Sequence, residues 1–244
     1  MIGMEPIFFV LLPLVAFTYA AVGHGGASGY LALMALFGVA VVVMKPTALI
    51  LNLFVAGISF YQFWKRGYFR WKLFYPFVIT SIPAAFVGGY LSVDSHLYKQ
   101  ILGVLLLFAV ARMLGLFGKT GDHEREIKLW QGLIVGALIG FFSGLIGIGG
   151  GIILSPILLL LGWASVKQTA AVSALFIWVN SLAGFAGLYI SGVELHTNFI
   201  IFIGLAVLGG LAGAYFGSSV LKNKSLTQFL SVVLLLASIK LMFF

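Results

Sequence analysis

Cysteine is absent from the 244 residues, and only 6 acidic side chains stand against 14 lysines and arginines. The first absence excludes disulfides, thiolate metal sites and a cysteine nucleophile, and says nothing about compartment. Charge of either sign is scarce, at 8% of residues with hydrophobic residues at 62%, where soluble domains run at about 25% and roughly 45–50%. No domain of useful size can lie outside a membrane, so any chemistry happens within one. No nucleotide-binding motif is present, so direct use of ATP by this chain is not expected. The net charge of +8 reads as membrane topology, because the basic residues sit in loops beside apolar runs. The partner it implies is a lipid bilayer and not a nucleic acid.

Apolar runs are what the chain has instead. Most exceed the ~18 residues that mark a membrane helix. Charge, Gly and Pro punctuation divides each half into five segments. The first half gives Pro6–Val22, Ala27–Val43, Pro46–Trp64, Leu73–Leu91 and Leu97–Phe117. The second gives Leu129–Ile146, Ile152–Trp163, Lys167–Ile190, Phe199–Val220 and Leu226–Phe244. The run Ile7–Val22 lacks the basic flank of a signal peptide and has an internal counterpart, so it belongs to the mature structure.

The two halves are approximate copies. Lys45–Phe63 and Lys167–Phe185 share 7 of 19 residues at an offset of 122, including Lys-x-Thr-Ala at the start of each. Gly23-His-Gly-Gly-Ala27 aligns with Gly147-Ile-Gly-Gly-Gly151, and Gly88-Gly-Tyr90 with Gly213-Ala-Tyr215, in the same order. Such a duplication in a membrane chain points to a transporter with its site where the halves meet. The repeats are 1–118 and 129–244, joined by a cytoplasmic linker at 119–128.

The charges also orient the halves. Lys65–Lys72 carries four positive charges, whereas its counterpart Ser191–His196 carries no lysine or arginine. An odd number of crossings per half puts Lys65–Lys72, Lys119–Lys128 and Lys222–Lys224 inside and Ser191–His196 outside, which favours an inverted repeat. Ile152–Trp163 has 12 residues, about 18 Å of helix, and cannot cross a core of ~30 Å. Each half is therefore expected to hold a helical hairpin with its glycine cluster at the tip, re-entrant or just spanning, followed by three transmembrane helices. The expected fold is an all-α polytopic membrane protein of two inverted repeats.

A turn within the bilayer leaves backbone groups without helical partners, and is tolerated only in protein or beside a wet cavity. Glycine permits positive φ and lets a ligand reach the main chain. Helices starting after Gly26 and Gly151 present free N–H groups and positive dipole ends, so two meeting tips make an anion site of backbone. The competing reading is close helix packing through small residues. Gly25, Gly26, Gly149, Gly150 and Gly151 are the candidate substrate contacts. Asn52, Ser173 and Asn180, on the helices that follow, are the side-chain candidates, with interhelical hydrogen bonding as their ordinary role.

Gly147-Ile-Gly-Gly-Gly151, then Ser155-Pro156, then Lys-x-Thr-Ala and a helix bearing Ser and Asn, resembles the TauE/SafE sulfite exporter family over essentially the whole chain. The resemblance implies a secondary transporter of sulfite or organosulfonates such as sulfoacetate, often outward, across a prokaryotic plasma membrane. The first half departs from the pattern, with His24 and Ala27 at places aligned with Ile148 and Gly151.

His24 is an ionisable residue inside a glycine cluster at membrane depth. It reads either as a proton carrier or anion ligand, or as a neutral donor fixing the turn. Lys45, Arg112, Lys167 and Lys240 lie near segment ends, where long side chains can reach the headgroups. No motif asks for a cofactor or a metal. The coupling ion, H+ or Na+, is open, and a homodimer is compatible with the chain. An anion-selective channel built from the same paired tips is the chief rival. Gly26-Ala-Ser-Gly29 also matches the Gly-x-Ser-Gly of rhomboid proteases, but Ser28 lacks a histidine on another membrane helix to take its proton. The chain is therefore not expected to be an enzyme.

The cysteine-free background makes the inversion directly testable. Tyr68→Cys should be labelled by an impermeant thiol reagent only from the cytoplasmic side, and Val193→Cys only from the other. Labelling of both from one face would make the repeats parallel.

Overall fold

A computed structural model describes residues 6–116, 126–193, 199–219 and 224–243. Most of the linker 119–128, much of Ser191–His196 and Lys222–Lys224, and the side chain of Arg112 lie outside the described residues. The described chain is all-helical. Its helices are α1 (Pro6–Ala21), α2 (Ala27–Leu36), α3 (Val41–Lys65), α4 (Trp71–Tyr90) and α5 (Ser95–Met113) in one half. The other half holds α6 (Leu129–Ile146), α7 (Gly151–Leu160), α8 (Val166–Ile190), α9 (Phe199–Ser219) and α10 (Lys224–Phe243). Over their described residues, five of them (α3, α4, α6, α8 and α9) are long and apolar enough to cross a membrane.

One expected boundary moves. Ala27–Val43 is not a single near-spanning segment, because α2 stops at Leu36 and Gly38 takes a φ of +69°. Residues 41–45 instead begin α3, and Pro46 in its second turn cannot donate to the Val42 carbonyl one turn back. As a result α2 and α7 match at 10 residues each, about 15 Å, half the thickness of a bilayer core.

The halves interlock. α4 packs against α6 and α8 of the other half, and α9 packs against α1 and α3. α3 meets α8, and α5 meets α10. Exchanging the halves maps this set of pairings onto itself. One core gathers α1, α2, α3, α5, α9 and α10 around Phe8, Tyr19, Tyr30 and Phe202. Another gathers α4, α6, α7 and α8 around Phe77, Leu158, Trp163 and Phe176.

Glycine stripes make the cross-half pairs possible. On α6, a Cβ at Gly136, Gly140 or Gly144 would run into the carbonyl of Phe77, Ser81 or Ala85 on α4. On α9, a Cβ at Gly209, Gly213 or Gly217 would run into the carbonyl of Pro13, Phe17 or Ala21 on α1. Numbers rise together in both pairs, so both are parallel. The small-residue reading holds for these stripes. The opposite face of α6 exposes Trp130, Ile134 and Leu138 at helical spacing, which suits contact with lipid.

Helix ends are closed by side chains from elsewhere in the fold. Lys45, expected to reach for headgroups, is instead 8% exposed. Its Nζ donates to the carbonyls of Gly88 (3.3 Å), Gly89 (3.0 Å) and Leu91 (3.3 Å) at the end of α4. The physical reason is that lipid cannot satisfy those carbonyls, so the ammonium does. At the corresponding end of α9, Lys167 donates to Gly217 (2.8 Å) and Arg66 to Ser218 (3.1 Å). Lys240 closes α2 through the Leu36 carbonyl (2.9 Å), and Tyr98 closes α6 through that of Ile146 (2.8 Å). Ser165 and Gln168 form a capping box that starts α8. Before α5, Asp94 accepts from the N–H groups of His96 and Leu97, which hold its carboxyl below the usual range.

The stripes predict a sharp contrast between glycines. Gly140→Ala forces α4 and α6 apart and should cost about 1–3 kcal/mol as an overpacked contact. Gly204→Ala on α9 meets open space and should be neutral or slightly stabilising. Thermal unfolding in detergent, followed by tryptophan fluorescence, reads both; equal shifts would remove the stripe from the packing.

Candidate functional site

Each glycine run connects a long helix to a short one. Gly23 and Gly147 leave α1 and α6 with φ of +77° and +85°. Gly26 and Gly150 start α2 and α7 with φ of +93° and +78°, and neither provides a side-chain cap. L-residues with a Cβ enter this region at a cost of roughly 1–2 kcal/mol, so the sequence uses glycine at these corners. The first-turn N–H groups of α2 and α7 therefore face the runs uncapped.

The runs enter from different places and converge. Gly23 lies against Ala170, the fifth residue of α8, and Gly147 lies against Lys45, the fifth residue of α3. Two residues further on, both runs reach the same spot. A Cβ on Gly25 would sit 2.5 Å from Asn52 Oδ1 and 2.9 Å from Ile177 Cγ2. A Cβ on Gly149 would sit 2.6 Å from Asn52 Nδ2, 2.7 Å from Ile177 Cγ2 and 3.2 Å from Ser181 Oγ. Asn52 and Ile177 are the twelfth residues of α3 and α8, so the runs meet halfway along both. The glycines are thus not only hairpin tips; each run carries the chain from one end of the fold to its centre.

A hydrogen-bonded chain ties the runs together. His24 Nδ1 lies 3.1 Å from the Val22 carbonyl, which can only accept, so Nδ1 carries the hydrogen. In the neutral ring Nε2 is then the acceptor, and the Ser155 hydroxyl of α7 donates to it across 2.9 Å. The Ser155 oxygen is left to accept from Ser173 Oγ of α8 at 2.8 Å. His24 is 4% exposed and both serines are fully buried. Sequence reasoning singled out His24 and Ser173 but gave Ser155 no role; the Ser155-Pro156 pair was the available signal.

Asn52 donates to Ser181 Oγ at 3.1 Å across the α3–α8 contact, while its Oδ1 is buried without a partner. Rotating the amide by 180° keeps the Ser181 bond, because a hydroxyl can donate as well as accept, and turns the NH2 toward Gly25. Asn52 and Ser173 thus join the glycine runs. Asn180 instead donates to the Phe176 carbonyl one turn back in its own helix, with its Oδ1 unpartnered. Gly151 abuts Ile177, and Gly150 abuts Ile139 and Phe176. Ser28, the serine of the protease-like pattern, donates to Tyr19 at 2.8 Å and is not paired with a histidine. No group of His, Asp and Glu that could hold a metal occurs among the described residues.

Two halves exchanging helices around paired half-length helices define a polytopic membrane protein with a central polar contact. A family model described as "Sulfite exporter TauE/SafE" matches residues 8–241. The chain belongs to that family and is a membrane transporter. It is similar to the "Probable membrane transporter protein y4hK" of Sinorhizobium fredii, 39% identical over 246 residues, covering 99% of this chain and 98% of the relative. "Probable membrane transporter protein YunE" of Bacillus subtilis is 26% identical over 68% of each chain. "Probable membrane transporter protein MJ0441" of Methanocaldococcus jannaschii is 32% identical over 52% of this chain and 48% of its own. No solved structure matches.

The His24–Ser155 bond joins the two halves and should be measurable. A double-mutant cycle with His24→Ala and Ser155→Ala should show a coupling of about 0.5–1.5 kcal/mol in thermal stability. Additive effects would mean the bond contributes nothing to holding the runs together.

Proposed function

We propose that the protein is a secondary transporter, with export as the favoured direction, of small sulfur-containing anions such as sulfite or organosulfonates. The membrane is the prokaryotic plasma membrane. The observation that carries the reading is the convergence on Asn52 of Gly25 and Gly149, each one residue before an uncapped, glycine-cornered helix N-terminus. Backbone N–H groups, hydroxyls and an amide suit an anion that must be bound and released, because they bring no fixed counter-charge. The family gives the substrate class its support.

The arrangement is a closed one. A methyl group finds no room at Gly25, Gly149 or Gly151 without displacing Asn52 or Ile177. Opening requires the His24–Ser155 and Asn52–Ser181 contacts to part, and these cross between the halves. In this reading the repeats are inverted, consistent with the placement of basic loops and with the exchange symmetry of the helix pairs. The runs then reach the centre from opposite faces, and alternating access follows from which run withdraws. His24 is the side chain at the centre that can carry a proton, which makes H+ the coupling ion favoured by its position. The channel reading requires a continuous path, and the packed glycines favour a carrier.

Proteoliposomes loaded with a panel of sulfite, sulfoacetate, sulfate, chloride and alkali cations provide the test. Saturable flux of the sulfur anions with counterflow is expected; flux of cations alone would overturn the proposal. Gly150→Ala should lower substrate affinity, because its Cβ would run into Ile139 and Phe176 and shift the start of α7. Lys167→Ala, at a helix end, should change it less.

A further inference from the structure

A cavity of about 170 Å³ lies at the Lys45 end of α3, with Ser92, Ser95, Tyr98, Leu145 and Ser191 in its walls. This end is 20 residues from Lys65, about 30 Å along the helix, and so lies at the opposite end of α3 from the basic loop. Its volume corresponds to on the order of five waters, enough for a sulfonate or similar oxyanion headgroup. Lys45 lies in its wall as a nearly buried ammonium bonded only to carbonyls, which satisfy its hydrogens without cancelling its charge. Two of those three bonds are long at 3.3 Å, so an anion can replace one at small cost. Among the described residues the carboxylates are Asp94 and Glu126, both exposed. Asp94 shares the loop that borders the cavity, but its carboxylate is turned to the N–H groups of His96 and Leu97.

The cavity also adjoins the second glycine run. A Cβ on Gly147 would lie 3.1 Å from the Lys45 carbonyl and 3.3 Å from its Cγ. The Tyr98 hydroxyl in the wall donates to Ile146, the residue before that run. From there it is two residues to the contact with Asn52. We infer that the Lys45 cavity is a peripheral anion site, at which a small sulfonate or oxyanion waits beside Gly147 before entering or after leaving the centre. The inference rests on the anion-transport reading above. It gives Lys45 a ligand-binding role in addition to closing α4.

The absence of native cysteine allows a single reporter thiol. In full-length Ser191→Cys protein, millimolar sulfoacetate should slow modification by an anionic thiosulfonate at least threefold, whereas choline should not. In the Lys45→Gln background the protection should vanish, and the rate of the anionic reagent relative to a cationic one should fall several-fold; Lys45→Arg should retain both. No protection with Lys45 present, or equal protection in Lys45→Gln, would overturn the site. If Lys45→Gln does not fold, the contrast between sulfoacetate and choline in the Lys45 protein decides the question. Uptake of sulfoacetate in the same vesicles separates the two readings. Transport without protection removes the cavity alone, while protection without transport of any sulfur anion keeps the cavity and removes the transport proposal.

Discussion

A helix end inside this protein leaves carbonyls or N–H groups that a hydrocarbon surround cannot satisfy, and the described residues form ten helices, with many such ends. Four of the carbonyl ends are met by long donors from elsewhere in the fold. Lys45 closes α4, Lys167 and Arg66 close α9, Lys240 closes α2 and Tyr98 closes α6. The N-terminal ends of α2 and α7 are treated differently. Like α3 and α4 they have no side-chain caps, but they start from left-handed glycines and their first-turn N–H groups face the glycine runs. The anion reading proposed above rests on those donors.

Close backbone approach is the second constraint, and it is what interlocks the halves. α4 sits in the second half's bundle and α9 in the first half's because α6 and α9 present rows of glycine to the partner's carbonyls. Neither half can then move as a body without dragging a helix of the other. At the centre the halves meet instead through two side-chain hydrogen bonds, His24–Ser155 and Asn52–Ser181. The stripes hold the halves together and the runs turn the chain, though both are made of the same residue type.

What separates the two uses of glycine is backbone conformation. Gly136, Gly140 and Gly213 are helical and lack a Cβ so that a neighbour can approach. Gly23, Gly26, Gly147 and Gly150 take positive φ, so that the chain can turn. A sequence window shows both as glycine among leucines. The cluster spacing hinted at the second group, whereas the four-residue spacing of the first was visible but its partner helix was not.

The sequence by itself determined the membrane class, the duplication, the short seventh segment and the family, because each depends on local composition or on comparison of the chain with itself. It also pointed to Asn52, Ser173 and His24 through their positions relative to the glycine clusters, and these side chains do lie beside the runs. Only the tertiary structure decided that Lys45 is buried on carbonyls, that Ser155 bridges His24 and Ser173, and that Asn180 bonds within its own helix. It alone set the exchange of α4 and α9 between halves. The physical reason is the same for each of these. A side chain's partner is fixed by which helix faces it, and in a chain apolar all round the pattern along one helix does not say which neighbour it will meet.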